Sequence, residues 1–399
     1  MKILLGITGG IAAYRGAELA RTLIKRGHQV RCCLTEAGSR FITPLTLASL
    51  TGEPCFGANP EYHEWRPNPI IEHVDLARWA DLVVVAPATA DILGKTANGL
   101  ADDLLSTLLL ATTARVLWAP SMNCAMWAHP AVQANVAKIK GFGHGIVEPA
   151  EGLLACGEAG TGRLAEVADI ADAVEALGGP AHPALLGRSV LITAGPTQED
   201  LDPVRTLTNR STGVMGLELA RAFRNAGAQV RLVLGGDRPA PWGVATVRVR
   251  SALQMLEACQ EYWPHMDGLV AAAAVADQRP EVCAPEKVKK VEGPETLVLV
   301  RTPDVLATLA AARRSGQWLV GFAAESEGHL ANATAKLQRK HLDAILVNDV
   351  AAGRGFGPQA NTLTPVTAAG AQAPLGPLAK DQLAQAVVQW WADQLAARA

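Results

Sequence analysis

The stretch that decides the fold occurs twice, as ELARTLIKRGHQVRCCL at residues 18–34 and ELARAFRNAGAQVRLVL at residues 218–234. In each copy apolar side chains recur at helical spacing up to a glycine, Gly27 or Gly227, and a short apolar run follows. A glycine just past the last periodic residue is a natural helix C-cap, and the run after it has the length of a buried strand. Upstream stand KILLGI (2–7) and SVLIT (189–193), which stop at Thr8-Gly9-Gly10 and at Ala194-Gly195-Pro196. Each copy is therefore a strand, a glycine-bearing turn, a helix (11–27 or 213–227) and a second strand, the βαβ unit of a parallel sheet. The likeness fades outside these units, which favours convergence on one good βαβ sequence over duplication.

A length of 399 residues is too great for one ordinary core. The breaker-rich stretch Gly178-Gly179-Pro180-Ala181-His182-Pro183 separates the copies, so the expected domains are residues 1–182 and 183–399. The fold class is α/β: two Rossmann-like or flavodoxin-like three-layer domains with mainly parallel sheets. Further strands are expected at 82–86, 115–119, 268–275 and 343–347, and helices over 166–177 and 381–396.

Hydrophobic content of 49% and charged content of 19% suit a globular protein with a large interior. A net charge of -2 gives no electrostatic reason to bind nucleic acid or an anionic membrane surface. No apolar run approaches the ~18 residues that would span a bilayer. MKILLGITGG reads as a first buried strand, since a secretory signal has a longer apolar region and a cleavage site. Seven Cys without a CxxC pair point to free thiols in a reducing cytoplasm, with no zinc site or disulfide framework.

Three loops of the first half follow buried strands: Thr8-Gly9-Gly10, Ala86-Pro87-Ala88-Thr89-Ala90-Asp91 and Ala119-Pro120-Ser121-Met122-Asn123. Ligands of open α/β sheets bind at that carboxyl edge, and a glycine turn opening a helix presents N–H groups to a phosphate. The turn departs from GxGxxG, so taken alone it also reads as a tight turn without a ligand. With HVDLARWAD (73–81), APATADILGKTANGLADDLLST (86–107), APSMNCAMW (119–127) and LACGEAGTGRLAE (154–166), it resembles the flavin-containing cysteine decarboxylases over nearly all of residues 1–178. The resemblance implies FMN as cofactor and decarboxylation of a C-terminal cysteine. It also implies that His73 is the base near the thiol and carboxylate, that Asn123 hydrogen-bonds the carboxylate, and that Cys156 is the proton donor on a mobile lid. Gly9, Gly10, Ile11, Thr35, Thr89 and Ser106 are the implied FMN contacts. The chemistry is coherent: a carboxylate on an sp3 carbon leaves badly, and oxidation of the thiol-bearing carbon to a thioaldehyde creates the missing electron sink. Cys32, Cys33, Cys55, Cys124, Cys259 and Cys283 carry no motif and are expected to be structural.

In the second half ITAGPT (192–197), DPVR (202–205) and NRSTG (209–213) are followed by AAVAD (273–277), PEKVKK (285–290), TPDV (302–305), GFAAE (321–325) and NDV (348–350). In that order they resemble the phosphopantothenate–cysteine ligases over about residues 188–365. The resemblance implies attack of 4'-phosphopantothenate on CTP to give an acyl-cytidylate, loss of pyrophosphate, and amide formation with cysteine. CTP over ATP follows from the habit of bacterial fused forms. Lys287 is the implied catalytic lysine and Asn209 the residue that handles the acyl intermediate. Ala273, Asp277, Lys287, Pro303, Asp304, Val305, Phe322, Lys336 and Lys340 are implied for the nucleotide. Mg2+ would be held mainly by the phosphates and would neutralise them. Lys287 with Lys289 and Lys290, and Lys336 with Lys340, also read as ordinary solvated faces. Val214 stands where the family usually has Lys, and Gln278 where an aromatic is common.

The two resemblances together imply coenzyme A biosynthesis, because the ligase product is the decarboxylase substrate and 4'-phosphopantetheine results. The implied partners are 4'-phosphopantothenate, cysteine and CTP, in a homo-oligomer of decarboxylase trimers forming a larger shell with ligase dimers. Two other readings compete. A non-catalytic flavoprotein is opposed by intact His73, Asn123 and Cys156. A nicotinamide-dependent reductase lacks GxGxxG and an acidic residue ending the second strand, where Thr35 precedes Glu36.

Overall fold

The computed structural model describes residues 1–57, 72–155, 157–179, 181–289, 296–325, 329–349 and 359–398. The chain divides into two compact units, Met1–Gly179 and Pro180–Ala399.

In the first unit, strands β1 (Lys2–Ile7), β2 (Gln29–Leu34), β3 (Cys55–Phe56), β4 (Leu82–Ala88), β5 (Arg115–Pro120) and β6 (Gly145–Ile146) form one sheet. Their order is β3-β2-β1-β4-β5-β6, with every pairing parallel. The continuous apolar runs of β1 and β4 are what a strand covered on both faces requires. Leu4, Val83 and Val85 pack with Leu76, Leu105, Leu108 and Ile139, while Ile3, Leu5 and Ile7, equally buried, alternate to the other face. A separate antiparallel hairpin, β7 (Ala150–Leu153) and β8 (Ala159–Arg163), brackets the segment that contains Cys156. Cys156 itself lies outside the described residues.

The second unit contains β9 (Ser189–Ala194), β10 (Gln198–Asp200), β11 (Thr206–Thr208), β12 (Gln229–Gly235), β13 (Ala245–Val249), β14 (Gly268–Ala271), β15 (Gln278–Pro280) and β16 (Leu299–Arg301). After them come β17 (Trp318–Glu325), β18 (Ala344–Asp349), β19 (Asn361–Thr367), β20 (Gly370–Ala371) and β21 (Leu375–Leu378). The main sheet runs β13-β12-β9-β14-β17-β18 in parallel, which repeats the order of the first unit, and then continues antiparallel through β19 with β20 and β21. Two antiparallel hairpins, β10–β11 and β15–β16, stand apart from it. One face of the sheet is filled by Phe223, Trp318 and Trp391, the last two with ring centroids 5.4 Å apart.

One expected strand is shorter than its composition suggests. The apolar run 268–275 pairs as a strand only over Gly268–Ala271. From Ala272 the backbone turns away from β17 and bonds to the end of β9 and the loop after it. Ala272 N donates to Thr193 O at 3.2 Å, and Ala274 N to Gly195 O at 3.0 Å. The small side chains of the alanine run permit this close approach.

Gly195 marks the tightest point of that loop. Its φ is +81°, and a Cβ there would stand 1.9 Å from Gly235 O. Gly195→Ala is therefore expected to lower the stability of the second unit by more than about 2 kcal/mol. Gly316→Ala, at φ +86° with nothing within 4 Å of the added Cβ, should lose only the left-handed backbone penalty of about 1 kcal/mol. Calorimetric unfolding of the two variants checks the contrast, and equal losses would show that the loop opens to take a side chain.

Candidate functional site

In both sheets the first strand lies in the middle, and the connections from its two sides leave in opposite directions. A crevice opens at that switch point, beyond the carboxyl ends of the strands. In the first unit the loops after β1 and β4 flank it. Thr8, buried, ties them together: its hydroxyl donates to Pro87 O at 2.7 Å and accepts from Thr89 N at 3.1 Å.

A cavity of about 490 Å3 lies there, lined by Gly9, Gly10, Ile11, Thr89, Ser121, Met122, Asn123, Met126, Leu153, Leu154 and Arg163, among others. Its walls are mainly apolar, with Thr89, Asn123 and arginines at the margins. Such a slot fits a flat, largely apolar ring system with polar edges, and so fits FMN. Gly9 is glycine for a packing reason, since a Cβ there would come within 2.4 Å of Ala37 Cβ. Asn123 N-caps the short helix Cys124–Ala128 through Oδ1, which accepts from Ala125 N at 2.8 Å. That cap turns the amide NH2 outward, where it donates to Glu158 Oε2 at 2.7 Å. The Asn123 amide is thus already oriented to hold a carboxylate.

The other sequence-derived residues of this unit fall elsewhere. Thr35 and His73 line a second cavity of about 380 Å3 together with Glu36, Glu72, Asp103 and Thr107. Thr35 also caps the helix Glu36–Ser39 by accepting from Gly38 N at 3.1 Å. Ser106 lines neither cavity; it closes a capping box with Asp103 at the start of the helix Leu104–Ala111. Burial pushes the Cys55 thiol up to about 11 and the Cys259 thiol up to about 12, which makes both poor nucleophiles.

In the second unit a cavity of about 480 Å3 occupies the corresponding crevice. Eight of the nine nucleotide residues expected from the sequence line it: Ala273, Asp277, Pro303, Asp304, Val305, Phe322, Lys336 and Lys340. The alanine-rich wall is held by two buried threonines. Thr193 Oγ1 accepts from Ala273 N at 3.3 Å, and Thr197 Oγ1 from Ala276 N at 2.9 Å. Asn209 reaches the same wall, its amide donating to Ala274 O and Val275 O at 3.1 Å each. Lys336 Nζ donates to Phe322 O at 3.1 Å. Lys340 Nζ lies 2.6 Å from Asp304 Oδ2, and its side chain is 11% exposed. Burial pushes the Asp304 carboxyl up, but Lys340, the Ala307 N–H and Lys336 together hold it below its ordinary value.

Lys287 does not line this cavity and is exposed on the loop that leads to residue 290. Arg301 does line it, a cation that sequence reasoning passed over. Thr8, Thr193 and Thr197 were also missed. The only signal available was a threonine next to each glycine-bearing loop. Among the described residues no group of three or more His, Cys, Asp or Glu is arranged to hold a metal ion, and no helix is long and apolar enough to cross a membrane.

Residues 1–178 match the Flavoprotein family, and residues 185–395 match the family described as the DNA/pantothenate metabolism flavoprotein C-terminal domain. The chain is 43% identical over 398 residues to the coenzyme A biosynthesis bifunctional protein CoaBC of Vibrio cholerae, covering 99% of this chain and 98% of that protein. It is 43% identical over 366 residues to the protein of the same name from Bacillus subtilis, covering 91% and 89%. Among solved structures, a C-terminal domain of a coenzyme A biosynthesis bifunctional protein CoaBC is 37% identical, with a TM-score of 0.46, covering 53% of this chain and 97% of that one.

The Lys340–Asp304 pair makes the stability of the second unit depend on pH. A carboxyl held below its unfolded value stabilises the fold above that value, and the contribution is lost as pH falls through the folded one. Asp304 is half-exposed, so the pair is worth at most about 1 kcal/mol. Lys340→Met should lose that amount at pH 7, and the difference from wild type should shrink toward pH 3. Urea unfolding at the two pH values measures it; a pH-independent difference would mean that packing of the lysine stem dominates.

Proposed function

The chain belongs to the family of coenzyme A biosynthesis bifunctional proteins, and we propose how its residues divide the work of a ligase and a flavin-dependent decarboxylase. The second unit joins 4'-phosphopantothenate to cysteine through an acyl-cytidylate, and the first decarboxylates the product to 4'-phosphopantetheine. The observation that carries this reading is the gathering of Ala273, Asp277, Pro303, Asp304, Phe322, Lys336 and Lys340 around one cavity at a sheet switch point.

In the ligase, the alanine wall and Phe322 enclose the base and ribose, while Lys336, Lys340 and Arg301 face the phosphates. Mg2+ held by the nucleotide phosphates would neutralise part of their charge. Lys287 stabilises the charge that develops as pyrophosphate leaves, and Asn209, tied to the wall, orients the acyl-nucleotide for the amine of cysteine.

In the decarboxylase, Gly9, Gly10, Ile11 and Thr89 around the 490 Å3 cavity would hold FMN, which when bound would supply the hydride acceptor that makes the thiol-bearing carbon an electron sink. The Asn123 amide then holds the substrate carboxylate in place of Glu158. Cys156 returns a proton from its thiol once CO2 has left. His73 is the base at the substrate thiol. It lines a different cavity from Asn123 within one chain, which supports a site completed by His73 of a second copy, in the closed homotrimer that the family resemblance implies.

Full-length protein supplied with 4'-phosphopantothenate, cysteine, Mg2+ and CTP is expected to yield 4'-phosphopantetheine, and Cys156→Ser to stop before it, as read by mass spectrometry. A folded, yellow protein that forms no cysteine adduct with any nucleotide would remove the ligase assignment. Co-expression of inactive His73→Gln and Asn123→Asp chains should restore about a quarter of the wild-type decarboxylase sites in a closed ring. No restoration would mean that each site draws both residues from one chain.

A further inference from the structure

The segment from Gln198 to Arg205 is acidic, and its carboxylates anchor it at several points. Glu199 Oε1 accepts from Ala252 N at 2.8 Å, at the start of the helix Ala252–Tyr262. Asp200 pairs with Arg250, the shortest contact being 2.7 Å. Asp202 is buried, with 0% of its side chain exposed. Its Oδ1 accepts from Val204 N and Arg205 N, each at 2.8 Å. Its Oδ2 accepts from Arg205 Nε at 2.9 Å and Arg205 Nη2 at 2.7 Å.

Two further bonds leave this cluster, and both go to the residue after Lys287. Val288 N donates to Asp202 Oδ2 at 3.2 Å, and Arg205 Nη2 donates to Val288 O at 3.5 Å. On the other side of the lysine, Ala284 N donates to Leu201 O at 2.9 Å. Pro285-Glu286-Lys287 is thus suspended between two points, both fixed to residues 201–205. The same segment runs on through β11 to Asn209, which is bonded to the cavity wall.

We propose that Asp202, with Arg205 as its counter-ion, is a positioning residue of the ligase that sets where Lys287 stands relative to the nucleotide cavity, through the peptide of Val288. The inference rests on the ligase reading of Lys287. A lysine on a flexible stem stabilises a transition state only where its backbone anchor is fixed, and a displacement of about 1 Å can lower a rate by about a hundredfold. An exposed loop does not supply that fixity; a buried carboxylate does. The bonds from Arg205 and the three backbone N–H groups outweigh desolvation and hold the Asp202 carboxyl well below the usual carboxylate range, so the anchor stays charged at any pH where the enzyme is assayed. Asparagine at 202 retains an oxygen for Val204 and Arg205, but turns an NH2 toward the Arg205 guanidinium and the Val288 N–H, which are themselves donors.

The test is a double-mutant cycle in the full-length protein, read as steady-state pyrophosphate release from CTP with 4'-phosphopantothenate and saturating cysteine. Asp202→Asn should lower kcat by roughly ten- to a hundredfold while the KM for CTP changes by less than about threefold. The pair Asp202→Asn with Lys287→Ala should be no slower than Lys287→Ala alone, because a residue acting through the lysine has nothing left to position. Multiplying effects, or an unchanged kcat in Asp202→Asn, would overturn the positioning role. A wild-type rate in Lys287→Ala would instead remove the ligase reading of that lysine, and the inference with it. Should Asp202→Asn fail to bind CTP, Arg205→Lys replaces it in the cycle. It keeps the charge but loses the fork and the bond to Val288 O, and the same non-additivity is then required of it.

Discussion

A threonine hydroxyl where the first strand gives way to its loop holds each switch point together. Where neighbouring parallel strands part company, the backbone groups of the diverging loops lose the partners that the sheet supplied. An amide left buried and unpaired costs about 1–3 kcal/mol, so an open crevice in a sheet needs some other acceptor. Thr8 supplies it in the first unit, and Thr193 with Thr197 in the second. Threonine suits the task because its branched Cβ is at home in a strand while its oxygen accepts from the adjoining loop. The cavities exist because these loops can separate without stranding their amides.

The same strand order then serves two chemistries. In the first crevice the glycine turn and the methionines leave a slot with apolar walls and polar margins, suited to a planar ring. In the second, alanines make the wall thin and lysines on the helix His329–Arg339 and just beyond it bring cations to the opening. A ligase must gather anionic groups, whereas a decarboxylase must keep a carboxylate and a ring in a dry place. The fold provides the location in both cases and the loop residues provide the character.

Much of this was legible in the sequence, for identifiable reasons. KILLGI and the segments around Gly27 and Gly227 are local signals, in which periodicity reports burial and a glycine reports the end of a helix. The residues lining the second cavity were legible through motif resemblance: Ala273 and Asp277 fall in AAVAD, Pro303, Asp304 and Val305 in TPDV, and Phe322 in GFAAE, whereas Lys336 and Lys340 lie on a helix and just beyond it. Ser106 was not, since a serine three residues after an aspartate serves a helix cap as readily as a ligand. The run 268–275 was misleading in its second half, because alanines carry no mark of whether a sheet or a loop will take their hydrogen bonds. Asp202 was opaque for a deeper reason. In DPVR it looks like a turn aspartate, and only the tertiary fold brings Val288 to it from far along the chain. The division of His73 and Asn123 between two cavities is likewise a property of topology, which no local spacing encodes.

Among the described residues the first sheet finishes on both sides in strands only two residues long, Cys55–Phe56 and Gly145–Ile146. Long unpaired rims invite strands from other chains, and proteins that must reach high concentration tend to avoid them. A sheet trimmed in this way offers a stray strand little to template on. Copies of this unit that meet one another are therefore steered to meet through side chains, where recognition is specific, rather than through backbone ladders, where any sequence will do. Short rims turn a fold with an open sheet into one that can associate without aggregating.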